Sequence, residues 1–265
     1  MHQYLNRLMH QDETVAYLEP IIIQIRADHK TMSCRAMYYM IKPPGIGRDK
    51  FEAICHNLGY TVPRPVNHIR TTNSNGVVRF ENHLQNYTLT GINQAMVSDI
   101  TYFQIKNRFY YITFILDAYS RYILGYSVSD TLVTEKTTLP ALQMAIKHRG
   151  KYLPQGIIFH SDGGGQYYAK SFLKLTAKHG FINSMCEYAY ENGKAERING
   201  VIKNNYLRFC DTSNPNKLLK AVDRSVYLYN QDKPHKALKY KTPNTIENEH
   251  LSLLSLSAKN KQPTS

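Results

Sequence analysis

Five short β-prone runs, separated by turns and by two helical patterns, constrain the fold of this chain more than any other feature. The first three follow one another with short connections, which is typical of a β-meander. The predicted strands cover residues 97–106, 108–117, 121–129, 156–160 and 181–185, and the predicted helices between them cover 134–148 and 171–179. Hairpin-linked strands followed by βα units predict an α/β fold, with a mixed five-stranded sheet flanked by helices.

Three acidic residues occupy positions in this pattern from which their side chains could meet. Asp99 lies in the middle of the first predicted strand, where an aspartate is unusual. Asp162 follows the fourth strand and directly precedes the glycine run 163–165, and Glu196 lies just inside a helical pattern that begins after Gly193. Strands one and four can lie side by side in such a sheet, which would make Asp99 and Asp162 neighbours.

A cluster of three carboxylates repels itself unless a cation lies between them. Because hard oxygen ligands suit Mg²⁺ or Mn²⁺, we predict that Asp99, Asp162 and Glu196 bind divalent metal ions. The chemistry expected from such a site is metal-assisted attack on a phosphodiester, with Asp99 as the ligand that bridges two ions. The alternative is that each carboxylate separately forms an ion pair or caps a helix.

Three further polar residues lie near these acids in the sequence pattern. His160 precedes Asp162 by two residues on the same strand and could orient water or phosphate, although such a histidine is more often a hydrogen-bonded core residue. Asn199 and Lys203 share the helix face that carries Glu196. They are candidate contacts to a phosphate or a base edge of DNA, and the alternative for Lys203 is a solvated lysine.

The net charge of the 265-residue chain is +13, and its pI is near 9.5. This excess of basic residues indicates a polyanionic partner, whereas an ordinary solvated basic surface is the alternative. Residues 93–210 contain 14 basic and 8 acidic residues, including the three candidate ligands. Carboxylates inside the most basic segment suit a site that holds phosphate and metal together.

The cysteines and the apolar runs limit the remaining classes of protein. The four cysteines form no CxxC pair and have no zinc-ligand spacing with the histidines, so we expect reduced thiols. No apolar run approaches the length of a membrane span, and residues 1–4 lack the layout of a secretion signal. A cytoplasmic protein without a membrane partner is therefore expected.

The pattern along the chain predicts five regions. Residues 1–70 contain three short helical patterns, an all-helical module that could be a helix-turn-helix DNA-binding unit or a three-helix unit without DNA contacts. Residues 71–92 are polar and indicate a linker. The α/β core is expected over 93–210, a helical extension over 211–248, and a mobile tail over 249–265.

Several ordered motifs resemble the integrase core of bacterial insertion-sequence transposases, in particular the second-frame product, OrfB. The first three motifs are Ser98-Asp99-Ile100-Thr101-Tyr102, Leu116-Asp117-Ala118-Tyr119-Ser120-Arg121 and His160-Ser161-Asp162-Gly163-Gly164-Gly165-Gln166-Tyr167. Similar motifs follow at Tyr190-Glu191-Asn192-Gly193-Lys194-Ala195-Glu196, Tyr229-Asn230, Lys233-Pro234-His235 and Thr242-Pro243. The resemblance covers residues 93–247, and residues 14–70 resemble, more faintly, the helical region that precedes such cores.

The resemblance implies a ribonuclease H-like fold and a DDE triad of Asp99, Asp162 and Glu196. It also implies Mg²⁺-dependent cleavage of element ends, followed by attack of the freed 3′-hydroxyl on target DNA. Double-stranded DNA would be the substrate, several subunits would assemble on paired ends, and an OrfA-type partner or fusion could be required. A bacterial cytoplasmic protein, bound to the nucleoid through its DNA, is then expected.

Two other functions share the same carboxylates or the same basic surface. A ribonuclease H-like nuclease would use the core for hydrolysis alone. A regulator of transposition would bind element DNA without catalysis and would not depend on metal. The helical module before the core and the basic helix after it favour strand transfer, because that reaction must hold two DNA segments.

Overall fold

A mixed five-stranded sheet forms the centre of the molecule in a computed structural model, which describes residues 2–63, 79–186 and 192–259. The strands are β1 (Ala95–Ile105), β2 (Arg108–Asp117), β3 (Ile123–Ser129), β4 (Ile158–Ser161) and β5 (Ile182–Met185). Their order across the sheet is β3-β2-β1-β4-β5. The α/β fold, with its three-stranded meander and two later strands, is confirmed.

Register explains how the sheet brings distant segments together. β1 pairs antiparallel with β2 and parallel with β4, and β4 pairs parallel with β5. Val97 lies opposite His160 in the β1–β4 pairing. Strands β1 and β4 are therefore neighbours, as the sequence predicted. Their pairing ends at Val97 and His160, so the segments that follow these two residues begin at the same edge of the sheet.

Helices cover both faces of the sheet. They are α4 (Thr138–Arg149), α5 (Lys170–Lys178), α6 (Gly193–Asn205), α7 (Pro215–Gln231) and α8 (Pro243–Lys259), and the three that precede the sheet are α1 (His2–Asp28), α2 (Cys34–Ile41) and α3 (Arg48–Asn57). Alternate strand residues divide between two cores, since Met96 packs with α4 and α5 whereas Val97 packs with α6 and α7. α4 lies so close to β3 that a Cβ on Gly125 would meet the Ala141 carbonyl oxygen at 2.1 Å.

The N-terminal helices have a hydrophobic core of their own, which includes Leu18, Ile22, Met37, Phe51 and Ile54. Polar and aromatic contacts attach this module to the rest of the chain. The Asp28–Arg224 ion pair measures 2.9 Å, the His29 Nδ1 and Tyr206 hydroxyl lie 3.1 Å apart, and the Tyr39 and Tyr240 rings stack at 4.0 Å. The helical module is present, and its role in DNA recognition stays a prediction.

A buried ionic cluster attaches α8 to the sheet. The Arg149 guanidinium at the end of α4 donates to Asp117 at 2.9 Å and to both oxygens of Glu247, one of them at 3.0 Å. Ser120 also donates to Glu247. Side chains of the two acids and the arginine are at most 4% exposed. The Leu116–Arg121 motif therefore supplies a structural connection between strand and C-terminal helix.

Two boundary predictions need correction or restriction. α8 extends to Lys259, so residues 249–259 of the predicted tail are helical, and their mobility stays a prediction; residues 260–265 lie outside the described residues. In the predicted linker, residues 71–78 are also outside them, whereas Leu84 and Leu89 pack against the core and the His83 amide donates to Ser184. The described end of the linker is therefore part of the packed structure.

Candidate active site

Asp99 lies on β1 at the edge where this strand leaves its pairing with β4. One carboxylate oxygen, Oδ1, accepts a hydrogen bond from the Ile100 amide at 2.9 Å. The other, Oδ2, accepts from the Asn199 side-chain amide at 2.8 Å. Because Asn199 belongs to α6, this bond holds the strand carboxylate toward the helix that also carries Glu196.

Asp162 directly follows β4, at the start of the glycine turn. Its Oδ1 accepts a hydrogen bond from the Gly164 amide at 3.1 Å. A Cβ at Gly164 would lie only 3.1 Å from the same oxygen, so the turn approaches the carboxylate closely. Burial raises the pKa of Asp162, although this hydrogen bond opposes the shift.

Glu196 lies in the first turn of α6, and the start of that helix is fixed against β1. The Asn192 side chain donates to the Ser98 carbonyl at 2.9 Å, one residue before Asp99. The Ala195 and Ile198 side chains on the same helix are buried against the sheet. Packing and the Asn192–Ser98 hydrogen bond together place the first turn of α6 beside the strand that carries Asp99.

The pKa of Asp99 responds to the charges of the other two carboxylates. Burial, together with the negative charges of Asp162 and Glu196, raises the pKa of Asp99 to about 7 against the opposing hydrogen bonds from Ile100 and Asn199. In the described ranges, no three His, Cys, Asp or Glu side chains are already placed to hold one metal ion. The donor set fits a divalent cation, because such an ion would offset the repulsion around Asp99.

The three other residues singled out in the sequence have separate surroundings. His160 is 1% exposed, and its Nδ1 lies 2.9 Å from the Ser184 hydroxyl on β5, which is the geometry of the core histidine considered as the alternative. Asn199 is 7% exposed and supports Asp99 directly. The Lys203 ammonium donates to the Thr101 hydroxyl at 3.2 Å, and partial burial lowers its pKa. DNA contact by any of them stays a prediction.

A tyrosine behind the acids was not singled out from the sequence. The Tyr167 hydroxyl lies 2.9 Å from the Ser98 hydroxyl, which donates to the Phe114 carbonyl at 3.0 Å. Burial raises the pKa of Tyr167 well above its usual value, and the charges of Asp162 and Asp99 add to this. Its position directly after the glycine turn was the available signal.

A basic cavity of about 490 Å³ lies near the start of α6. Its lining includes Lys194, two residues before Glu196, together with Arg121, Lys239 and Tyr119. Loss of solvent around the ammonium group lowers the pKa of Lys194, and the charge of Arg121 lowers it further. The cavity therefore collects cations at the start of the helix that carries Glu196, on a surface that suits phosphate groups.

Comparisons with known proteins place this site in a family. Two family models, both described as integrase core domain, match residues 90–190 and 182–243, which together include all three acids. Residues 90–243 form an integrase core domain. The region matched by the two models includes the whole sheet from β1 to β5 and ends at the beginning of α8.

Relatives of this integrase core come from insertion elements of several bacteria. The chain is 28% identical to the insertion element IS600 uncharacterized 31 kDa protein of Shigella sonnei, over 83% of this chain and 84% of that protein. It is 35% identical to the IS629 transposase of Shigella sonnei over 42% of this chain, and 34% identical to the putative IS986/IS6110 transposase of Mycobacterium tuberculosis over 44%. These two alignments span 36% and 43% of the relatives' own lengths.

Among solved structures, a simian T-cell lymphotropic virus intasome chain has the same fold as the integrase core. The TM-score is 0.51 at 20% identity, and the match covers 76% of this chain and 67% of that one. This likeness concerns the fold alone and confirms the ribonuclease H-like architecture. Across the described residues, no helix is both long enough and apolar enough to cross a membrane.

Proposed function

We propose that the protein is a DNA transposase that cleaves insertion-sequence ends and joins the freed 3′-hydroxyl to target DNA. The integrase core and the transposase relatives support this function. The observation that carries the proposal is the buried Asp99 carboxylate, which α6 holds through Asn199 at 2.8 Å and whose pKa is raised by burial and by the charges of Asp162 and Glu196. Such a cluster suits phosphoryl transfer on a polyanion.

Asp99, Asp162 and Glu196 would hold Mg²⁺, with Mn²⁺ as a substitute. Integrase cores in general depend on divalent metal ions. When bound, the ions lower the pKa of an attacking water or hydroxyl and neutralise charge that develops on the phosphate. The protein's own part is orientation: Asn199 positions the Asp99 carboxylate, and the Gly164 amide positions that of Asp162. Asp99 would be a ligand to both ions, which is the role predicted for it from the sequence.

Double-stranded DNA, from the element ends and from the target, is the proposed substrate. The net charge of +13 and the basic cavity beside α6 supply the attraction to phosphate. Assembly of several subunits on paired ends belongs to the same proposal, as does an OrfA-type partner or fusion. The site of action is the bacterial cytoplasm, with the protein on the nucleoid when it is bound to DNA.

Substitution of one acid tests the catalytic part of the proposal. Asp162→Asn removes a ligand charge and keeps the side-chain volume, so cleavage of a labelled element-end duplex should fall at least about 100-fold. Binding to the same duplex, measured by fluorescence anisotropy, should be retained. Asp130→Asn is the matched control, because this aspartate is 67% exposed and pairs with Lys136. Calorimetry with Mn²⁺ should show weaker metal binding for Asp162→Asn alone.

The products of the wild-type protein separate the competing functions. Joined molecules in which the element end is linked to target DNA support a transposase. Cleavage without joining would indicate a hydrolytic nuclease. Equal cleavage by Asp162→Asn and the wild type would remove the catalytic site proposed for Asp162, and duplex binding with neither metal uptake nor cleavage would indicate a regulator.

A further inference from the structure

A second basic cleft, of about 670 Å³, separates the N-terminal helical module from the integrase core. The module contributes residues from α2 and α3, among them Arg35 and Glu52. The core contributes Arg197 from α6 and the segment that contains Lys233 and Lys236. We call this space the interdomain cleft. It lies on the helix that carries Glu196, because Arg197 is the next residue.

Positive charge in the interdomain cleft exceeds negative charge. Among the described residues that line it, Glu52 is the acidic one, and its two oxygens accept from Arg35 at 2.7 and 3.1 Å. That ion pair neutralises both partners. Arg197, Lys233 and Lys236 then remain as cations without a carboxylate in the lining.

Lys233 is the most informative of these cations. Burial and, to a smaller extent, the nearby charge of Arg197 lower its pKa to about 8. No described carboxylate forms an ion pair with it within 4.0 Å. The neighbouring imidazole of His235 adds no third positive charge, because burial and the charge of Lys233 lower its pKa to about 3 and keep it neutral. Two cations close together in a low-dielectric cleft are unfavourable unless an anion joins them.

The segment that carries Lys233 is held in a defined shape. The His235 amide donates to the Lys241 carbonyl at 3.0 Å, and the His235 ring packs edge-on against Tyr229. Tyr240, in the left-handed backbone region at φ 62°, stacks on Tyr39 of the N-terminal module. A strained backbone conformation of this kind persists only where surrounding contacts maintain it. The cations of the cleft are thus positioned before any ligand arrives.

We propose that the interdomain cleft binds the phosphodiester backbone of DNA, with Lys233 and Arg197 on phosphate groups. This proposal rests on the proposed function, which makes DNA the polyanion of this protein. Three cations from two elements, spread along a cleft, suit a chain of phosphates better than a single free phosphate. A strand that lies in the cleft follows α6 toward Glu196. The Lys233-Pro234-His235 motif then has a function of its own, which is to position DNA rather than to read its sequence.

Salt-dependent DNA binding by the full chain tests the proposal. Each phosphate contact releases counterions and contributes about 0.9 to the slope of log affinity against log salt concentration. Arg197→Gln and Lys233→Met should each reduce this slope by about one unit and weaken binding several-fold at moderate salt. The loss should be equal for an element-end duplex and an unrelated duplex, because backbone contacts carry no sequence information. Lys174→Met removes an exposed cation from α5 and is the matched control.

Thermal unfolding without DNA distinguishes a ligand-binding lysine from a structural one. Lys233 is partly buried and pairs with no described carboxylate, so its replacement by an apolar side chain of similar length should leave the unfolding midpoint of Lys233→Met unchanged or higher. Unchanged salt slopes for both Arg197→Gln and Lys233→Met would overturn the proposal. So would a loss of binding in Lys233→Met with a lower unfolding midpoint while Arg197→Gln binds normally. Cleavage that depends on Asp162 would stand in either case, so failure of this proposal is separable from failure of the proposed function.

Discussion

Glu247→Gln should destabilise the protein by about 3–5 kcal/mol, because it breaks a buried ion cluster without removing volume. Glu247 is 3% exposed and accepts from Arg149 and from the Ser120 hydroxyl. An amide in its place has one acceptor oxygen instead of two, so its NH₂ group must face a donor. Arg149 would keep only Asp117 as a charged partner.

The size of the effect follows from what the arginine would lose. A buried charge that is deprived of one partner retains most of its desolvation cost, whereas an exposed ion pair contributes at most about 1 kcal/mol. Glu249→Gln is therefore a matched control on the same helix, since the Lys241–Glu249 pair measures 2.6 Å and its side chains are 45% and 46% exposed. The two variants differ mainly in burial.

Urea unfolding monitored by circular dichroism measures the difference. The midpoint of Glu247→Gln should fall well below those of the wild type and of Glu249→Gln. Addition of Arg149→Met should restore part of the loss, because the uncompensated cation is then absent and Asp117 still accepts backbone amides of Asn93, Tyr119 and Ser120. A loss below about 1 kcal/mol, or equal losses in both glutamine variants, would refute the reasoning.

Three further predictions follow from single contacts. Asn199→Ala should weaken Mn²⁺ binding in calorimetry about 10- to 100-fold while the thermal midpoint changes little, because the amide orients a proposed ligand; unchanged metal affinity would contradict this. Burial lowers the pKa of His29 from its usual 6.5 to about 4. The stability that the neutral ring contributes is therefore complete above pH 6.5, and roughly 3 kcal/mol of it is lost as the pH falls toward 4. In urea titrations at several pH values, His29→Gln should flatten this decline. Gly125→Ala should cost at least about 1–3 kcal/mol in urea unfolding, because its Cβ would meet a helix carbonyl at 2.1 Å; a wild-type midpoint would show that α4 shifts freely.

The order of strands could be predicted because it depends on local signals. Period-2 alternation and short turns define the meander, and the predicted limits of β2 agree with Arg108–Asp117. β4 was predicted over 156–160 and forms Ile158–Ser161, so its start lies two residues later, after the turn at Gly156. The neighbouring positions of β1 and β4, and so of Asp99 and Asp162, followed from topology alone.

The end of α8 could not be predicted from the same signals. Leu253 is 62% exposed and Leu254 is 43% exposed, so the helix lacks the apolar stripe by which a packed helix is usually recognised. Its attachment depends on Glu247, whose partners lie 98 and 127 residues away in the chain. A local pattern contains no information about such partners, and the composition of the segment resembled a mobile tail.

The same limit applies to the residues around the proposed active site. Helical periodicity placed Asn199 and Glu196 on one face of α6, but it did not show that Asn199 would bond to Asp99 rather than extend toward a ligand. The helix α7 separates Lys233 from Arg197 in the sequence, and the fold brings the two charges close enough to interact. The acids could be found because aspartate is rare inside a strand, whereas a lysine in a loop is ordinary until its surroundings are known. A functional residue of this chain can therefore be predicted from the sequence where its type is unusual for its predicted secondary structure, as for Asp99. Where like charges meet only through the fold, as for Lys233 and Arg197, the structure is needed to find them.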